Sequence, residues 1–332
     1  MIRWQKKAVA AGAAFALAAA LAACSSSGGK QEEQSSGGGG AGVADTPRMK
    51  VALITHSGPG DTFWDIVRRG AEAAAKKDNI ELQYSSDPDG AAQANLVQTA
   101  IDSKVDGIAV TLNKPDAVIP NVKKAIAAGI PVTILNGGLD SWKQTGALGY
   151  FGQDERIAGR ATGNKLKSLG AKKVICVIHE QGNVSLEARC QGITDILGDA
   201  VENVNVNGTD QPGTQATLTS KLQADKNADY VMALNAGIAL TAVTAAKDAG
   251  SSAKVASFDM SKEMAKAVKD GTVEFAVDQQ PYLQGYLAVD AIWLYKTNGD
   301  TIGGGEATLT GPAFIDKTNI AAVEKYAAAG TR

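Results

Sequence analysis

Histidine is nearly missing from this sequence of 332 residues: His56 and His179 are the only two, beside three cysteines and 5% aromatic side chains. So few imidazoles leave little for metal or acid–base machinery. A zinc-hydrolase helix begins at His179-Glu180 but fails, because position 183 is Asn rather than His. No Gly-x-x-x-x-Gly-Lys-Ser/Thr phosphate loop occurs, nor a Gly-x-Ser-x-Gly nucleophile elbow. Gly58-Pro59-Gly60 lacks the third glycine of a dinucleotide fingerprint. A basic surplus is absent too: 33 Lys and Arg against 35 Asp and Glu give a formal net charge of −2. That balance argues against a nucleic-acid partner, which needs concentrated positive charge. The expectation is a chain with no metal, no cofactor and no catalytic residues.

Long apolar runs are also missing, with one exception at the start. Arg3, Lys6 and Lys7 precede an apolar stretch, Ala8 to Ala20, too short to span a bilayer, which reads as a signal peptide over residues 1–23. Leu21-Ala22-Ala23-Cys24 resembles the lipobox of bacterial lipoproteins, a likeness that would make Cys24 the acylated first residue of the mature chain. Residues 24–47, rich in Ser and Gly, have almost nothing to bury and read as a flexible tether. Without the leader 30 basic and 35 acidic side chains remain, a formal charge of −5. The other two cysteines, Cys176 and Cys190, can form a disulfide outside the cytoplasm or stay as two buried thiols.

What is present is regular. Val51 to Thr55 is a short β-branched run that breaks into Ser57-Gly58-Pro59-Gly60. Asp61 or Thr62 then caps a helix whose Phe63, Ile66, Val67, Ala71 and Ala74 recur at helical spacing. Strand patterns follow every 20–30 residues, at Lys50–Thr55, Ile80–Ser85, Gly107–Leu112, Pro131–Leu135, Lys173–Ile178, Asn203–Val206, Tyr230–Leu234, Lys254–Phe258 and Val273–Val277. Alanine-rich helical patterns lie between them, as at Ala91–Ser103, Asp116–Ala128 and Ile238–Ala249. Such alternation predicts parallel sheets with right-handed crossovers. Four units precede Gly146–Gly152 and several follow, too many for one compact sheet, so the fold class is α/β with two doubly wound lobes. Strand carboxyl ends facing each other would leave a ligand cleft between them.

Several spaced segments together resemble the type I periplasmic sugar-binding proteins, the ribose-binding-protein-like substrate-binding components of ABC importers. They are Val-Ala-Leu-Ile…Asp-Thr-Phe-Trp, Val-Asp-Gly-Ile-Ala-Val-Thr, Ala-Gly-Ile-Pro-Val-Thr, Glu-Ala-Arg-Cys-Gln-Gly-Ile (187–193), Ser-Phe-Asp (257–259) and Asp-Gln-Gln-Pro-Tyr-Leu-Gln-Gly-Tyr (278–286). The likeness covers nearly all of 48–332. It implies an N-terminal lobe of 48–151 and 279–309, a C-terminal lobe of 152–278 and 310–332, and a three-segment hinge near Gly149–Gln153, Val277–Gln279 and Leu309–Pro312. It further implies a monomer outside the cytoplasm, held to the membrane only by its lipid and delivering a sugar or polyol to ABC permease subunits.

The resemblance places the ligand shell on Asp61, Phe63, Trp64, Thr111, Asn136, Arg189, Asn235, Asp259 and Gln279. The chemistry suits a sugar. Hydroxyls donate and accept, so fixed Asp, Asn, Gln and Arg groups meet them, and a flat ring packs on their C–H face. Other readings of single residues stand beside these. Phe63 is spaced as a core residue, Asp259 can cap a helix beginning near Ser261, and the Thr-Leu-Asn-Lys-Pro-Asp loop admits either Thr111 or Asn113. Both histidines follow a strand and can face the cleft, although a lone His is more often a hydrogen-bonded structural residue. One departure matters: ribose binders commonly carry Asp-Arg where this chain has Asn136-Gly137, which puts ribose itself in doubt. A hexose, pentose, cyclitol or furanone-type signal remains open. The rival readings are a sensor using the same cleft and a LacI-type repressor core, which would need a helix-turn-helix in front. An enzyme is the last, and the missing motifs count against it.

Overall fold

The computed structural model describes residues 43–332. The leader, Cys24 and the tether as far as residue 42 lie outside the described residues. The last tether residues are already pinned. Ala44 N donates to Lys77 O (2.7 Å), while Thr46 accepts from Asn79 Nδ2 (2.8 Å) and from Trp293 Nε1 (3.2 Å).

The first sheet is built from β1 (Met49–Thr55), β2 (Ile80–Ser86), β3 (Gly107–Thr111), β4 (Val132–Asn136) and β5 (Tyr150–Gly152). Between them run α1 (Thr62–Lys77), α2 (Gly90–Asp102) and α3 (Pro115–Ala127). The second sheet holds β6 (Val174–Ile178), β7 (Val201–Asn205), β8 (Tyr230–Ala233), β9 (Lys254–Phe258) and β10 (Ala276–Asp278). Its helices are α4 (Glu155–Ser168), α5 (Val184–Leu197), α6 (Gln211–Ala224), α7 (Ala236–Asp248) and α8 (Lys262–Asp270). The chain ends with α9 (Pro281–Asn298), β11 (Thr308–Leu309), β12 (Ala313–Ile315) and α10 (Glu324–Ala328). Strand order is β11-β5-β4-β3-β1-β2 in one sheet and β12-β10-β9-β8-β6-β7 in the other. All pairs are parallel except β10 with β12. The chain therefore passes between sheets three times: after β5, after β10 and after β11.

Helices cover both faces of each sheet, so the central strands are buried on two sides and read as unbroken apolar runs. Along β1 the alternation shows directly. Val51 and Leu53 join the core with Phe63, Val67 and Ala288, whereas Ala52 and Ile54 join the one with Val97, Ile108 and Val122. The second sheet likewise separates two clusters, one around Val231 and Val255, the other around Phe258 and Phe275. In that second cluster Cys176 of β6 and Cys190 of α5 are joined as a disulfide, tying a strand to the helix that follows it.

The nine strands expected from the sequence are present, with ends displaced by up to three residues, as at β7 and β10. Three strands were not foreseen: β5, β11 and β12. Each is two or three residues long, too short to carry a pattern, and two form sheet edges supplied from the far end of the chain.

The two halves repeat one plan. His56 and His179 each follow their lobe's first strand, and Asn136 and Asp259, the same number of residues apart, close the fourth. Helix packing repeats as well. A Cβ on Gly285 of α9 would lie 2.0 Å from Val67 O of α1, and one on Gly70 1.9 Å from Tyr282 O. In the other lobe a Cβ on Gly159 of α4 would lie 2.3 Å from Arg189 O of α5, and one on Gly192 2.4 Å from Arg156 O. Both crossings bring backbone against backbone, which only glycine permits. Gly285→Ala should therefore force α9 off α1 and cost about 1–3 kcal/mol. A urea midpoint equal to that of the parent chain would show the crossing to be looser than this.

Candidate functional site

The carboxyl ends of β1, β3 and β4 face those of β6, β8 and β9 across a cavity of about 800 Å³. Connections from both lobes, those after β7 and β10 included, supply its walls, so the site is assembled by topology and not by any one segment.

From the first lobe, Asp61 caps α1 by accepting from Phe63 N at 3.1 Å. The same carboxylate oxygen accepts from Asn235 Nδ2 of the second lobe at 3.2 Å, and Asn235 itself caps α7 by accepting from Gly237 N at 2.7 Å. Two helix caps thus meet across the cleft. Burial raises the Asp61 carboxyl above its ordinary value. Phe63 and Trp64 are both buried and meet edge to face with centroids 5.0 Å apart; Trp64 also stands edge-on to His56 at 4.6 Å. Phe63 belongs to the core as its spacing indicated, yet it also lines the cavity.

Asn136 and Asp259 both sit in the left-handed region, with φ of +65° and +67°, conformations that Asn and Asp adopt more readily than most side chains. Gln279 stands between them. Its Nε2 donates to Asp259 Oδ1 at 2.7 Å, and its Oε1 accepts from Asn136 Nδ2 at 3.2 Å and from Gln284 Nε2 at 2.9 Å. One N–H of Gln279 therefore remains for a ligand. Burial lifts the Asp259 carboxyl to about 7, against the opposing pull of Arg189. The expected cap at Ser261 is made by Ser261 itself, whose hydroxyl accepts from Met264 N at 3.0 Å, so Asp259 is not the cap.

Arg189 is almost wholly buried and bound by a residue that the sequence reading missed. Its Nε and Nη2 donate to the two oxygens of Glu155 at 2.6 and 2.9 Å, and its Nη1 donates to Leu234 O at 3.1 Å. Its guanidinium lies 4.5 Å from the Phe258 ring centroid. Two of its five N–H groups are left over. An arginine on the buried face of a helix needs a carboxylate, and that requirement was the available signal for Glu155.

The cavity wall includes eight of the nine expected residues: Asp61, Phe63, Trp64, Asn136, Arg189, Asn235, Asp259 and Gln279. Thr111 is not brought to it. Its hydroxyl lies one layer back, within 2.9 Å of both His56 Nδ1 and Gln93 Nε2. Of the two alignments of that loop, the structure puts Asn113 at the cleft. Asn113 Nδ2 donates across the lobes to Asn183 Oδ1 (3.0 Å) and Ser185 Oγ (3.1 Å), and Asn113 O accepts from Val184 N (3.1 Å). Lys114 pairs with Glu180 at 3.3 Å on the same rim. His56 Nε2 is 3.8 Å from Glu180, but burial holds this imidazole down to about 4, so the contact is not ionic at neutral pH. The lobes are thus drawn together by hydrogen bonds at the cleft's rim. Among the described residues no cluster of His, Cys, Asp and Glu has the arrangement of a metal site, and no helix is long and apolar enough to cross a membrane.

Two parallel-sheet lobes crossed three times, with polar strand ends around an interlobe cavity, define a ligand-binding protein of the periplasmic type I architecture. The chain belongs to the periplasmic binding protein domain family, whose pattern matches residues 51–300. It is similar to a carbohydrate transporter from Acidothermus cellulolyticus, solved in complex with myo-inositol. That match has 53% identity and a TM-score of 0.85, covering 86% of this chain and 100% of that one. The D-apiose import binding protein of Paraburkholderia graminis is 28% identical over 83% of this chain and 90% of its own. The xylose/arabinose-binding protein XylF of Sulfolobus acidocaldarius is 25% identical over 84% of this chain and 73% of its own.

Removing the carboxylate behind Arg189 would leave a buried guanidinium without its counter-charge, which typically costs about 3–5 kcal/mol. Glu155→Ala should lower the urea midpoint accordingly, whereas Glu155→Gln, which keeps an acceptor, should lose less. Equal stability in all three proteins would mean that the pair contributes nothing net.

Proposed function

We propose that this chain is the substrate-binding component of an ABC sugar importer, taking a neutral monosaccharide or polyol into the interlobe cleft. The observation that carries this is the ring of buried hydrogen-bonding side chains from both lobes, set beside the Phe63–Trp64 pair. A polyhydroxylated ring can satisfy those groups and lay its C–H face against the aromatic pair; an apolar guest would strand them, at about 1–3 kcal/mol for each unpaired group. The relatives that bind inositol, apiose, xylose and arabinose support the same class of guest.

The proposed mechanism is closure. Lobes joined by three strands of chain rotate about the crossings after β5, β10 and β11, and a ligand touching both selects the closed arrangement. The closed body is then presented to permease subunits, with no bond made or broken in the ligand. We place the protein outside the cytoplasm as a monomer held to a membrane through a lipid on Cys24.

Thermal-shift measurements with myo-inositol, D-glucose, D-galactose, D-allose, D-xylose, D-ribose, L-arabinose and xylitol test the reading. A ligand at a hundredfold excess over its Kd adds about 2.7 kcal/mol, a shift of several degrees in Tm. If no compound in this set moves Tm, the sugar assignment is lost.

The Asp259 carboxyl gives a second test. Its folded value of about 7 lies above the ordinary 3.8, so the folded empty protein holds a proton that the unfolded chain releases. This group therefore lowers stability progressively as pH rises from about 4 to 7, with no further change above. Ligand hydroxyls donate to the ionised carboxylate, so binding should release a proton at pH 6 and tighten between pH 6 and 8. Asp259→Asn should flatten both dependences; a variant with the parent's pH profile would assign them to another group.

A further inference from the structure

The internal repeat gives His56 and His179 the same station, one residue beyond the first strand of each lobe, yet their surroundings differ. His56 Nδ1 is engaged by Thr111 Oγ1 at 2.9 Å, and its Nε2 faces Asn183 Nδ2 of the other lobe at 3.4 Å. Among the described residues His179 is hydrogen-bonded through its backbone, whose carbonyl accepts from Gly208 N at 2.9 Å, and its ring packs beside Gly208. Its ring lines the cavity with Arg189 and Asp259, and its Nδ1 is buried with no hydrogen-bond partner among the described residues. A buried ring nitrogen without a partner is unfavourable unless something else meets it.

Burial keeps this imidazole neutral, its value lowered to about 4, with Glu180 opposing and Arg189 and His56 reinforcing that shift. A neutral imidazole offers one donor and one acceptor, which is what a hydroxyl offers in return. We propose that His179 is a ligand-contact residue, its ring nitrogen meeting a hydroxyl of the bound polyol, while His56 serves the closure of the lobes. This rests on the sugar-binding reading of the cleft. It also assigns unequal roles to two residues that the fold treats alike: one imidazole is spent on the protein, and the other is kept for the guest.

The experiment is calorimetric titration of the parent chain, His179→Phe and His179→Gln with the same panel of compounds used for the thermal shifts, together with the Tm of each empty protein. For whichever probe the parent binds, His179→Phe should weaken affinity ten- to hundredfold. His179→Gln, which restores a donor and an acceptor, should recover most of it. The empty His179→Phe protein should melt at or above the parent's temperature, because the phenyl ring removes an unpaired nitrogen. Undiminished affinity in His179→Phe overturns the proposal. A lowered Tm in the empty His179→Phe protein makes the ring structural and likewise overturns the assignment. Should the parent bind none of the probes, the sugar reading falls and this assignment falls with it, an outcome distinct from a parent that binds and a His179→Phe variant that binds equally well.

Discussion

One side-chain amide ties the halves of this molecule together. Gln279 lies just past the second crossing between the lobes, and its carboxamide is held by Asn136 at the end of one sheet and Asp259 at the end of the other. An amide can do this because it donates and accepts from the same planar group. The polar groups at the ends of the two fourth strands are arranged around that link. Asp259 is oriented by it, Gln284 of α9 supports it from behind, and Arg189 with Glu155 stands alongside as a charge already neutralised within its own lobe.

The site shows how a duplicated plan becomes an asymmetric binding cavity. Corresponding strand ends carry Asn136 in one lobe and Asp259 in the other, and corresponding helix caps carry Asp61 and Asn183. The carboxylate therefore sits on opposite lobes at the two levels of the cleft. Each acidic group faces an amide across the gap, which avoids setting two buried carboxylates directly opposite each other.

Much of this was legible in the sequence. The β1–α1 unit could be read because a β-branched run, a glycine-containing loop, an N-cap aspartate and a helical apolar stripe each obey local rules that the tertiary fold does not override. Asp61, Trp64 and Asp259 were reached through the family resemblance, and they line one cavity because strand ends in parallel sheets converge. Glu155 was missed because its partner Arg189 lies 34 residues away: a buried arginine calls for a carboxylate but does not say which one. The Thr111–Asn113 ambiguity has the same origin. A strand fixes which face a side chain takes but not where the strand stops, and a shift of two residues keeps the face while moving the position from behind the wall to its surface. The edge strands β11 and β12 escaped because two or three residues carry no period.

The order of the elements along the chain sets when each half can be completed. Helix α9, which packs on α1 through Gly70 and Gly285, and strand β11, which completes the first sheet, are both encoded after the whole of β6 to β10. The second sheet in turn waits for β12. During synthesis, then, neither half can seal its interior until the segments that follow β10 have been made, unlike a tandem protein whose leading domain folds first. Both interiors thus depend on elements that return from across the hinge, and neither lobe is a self-contained stretch of chain.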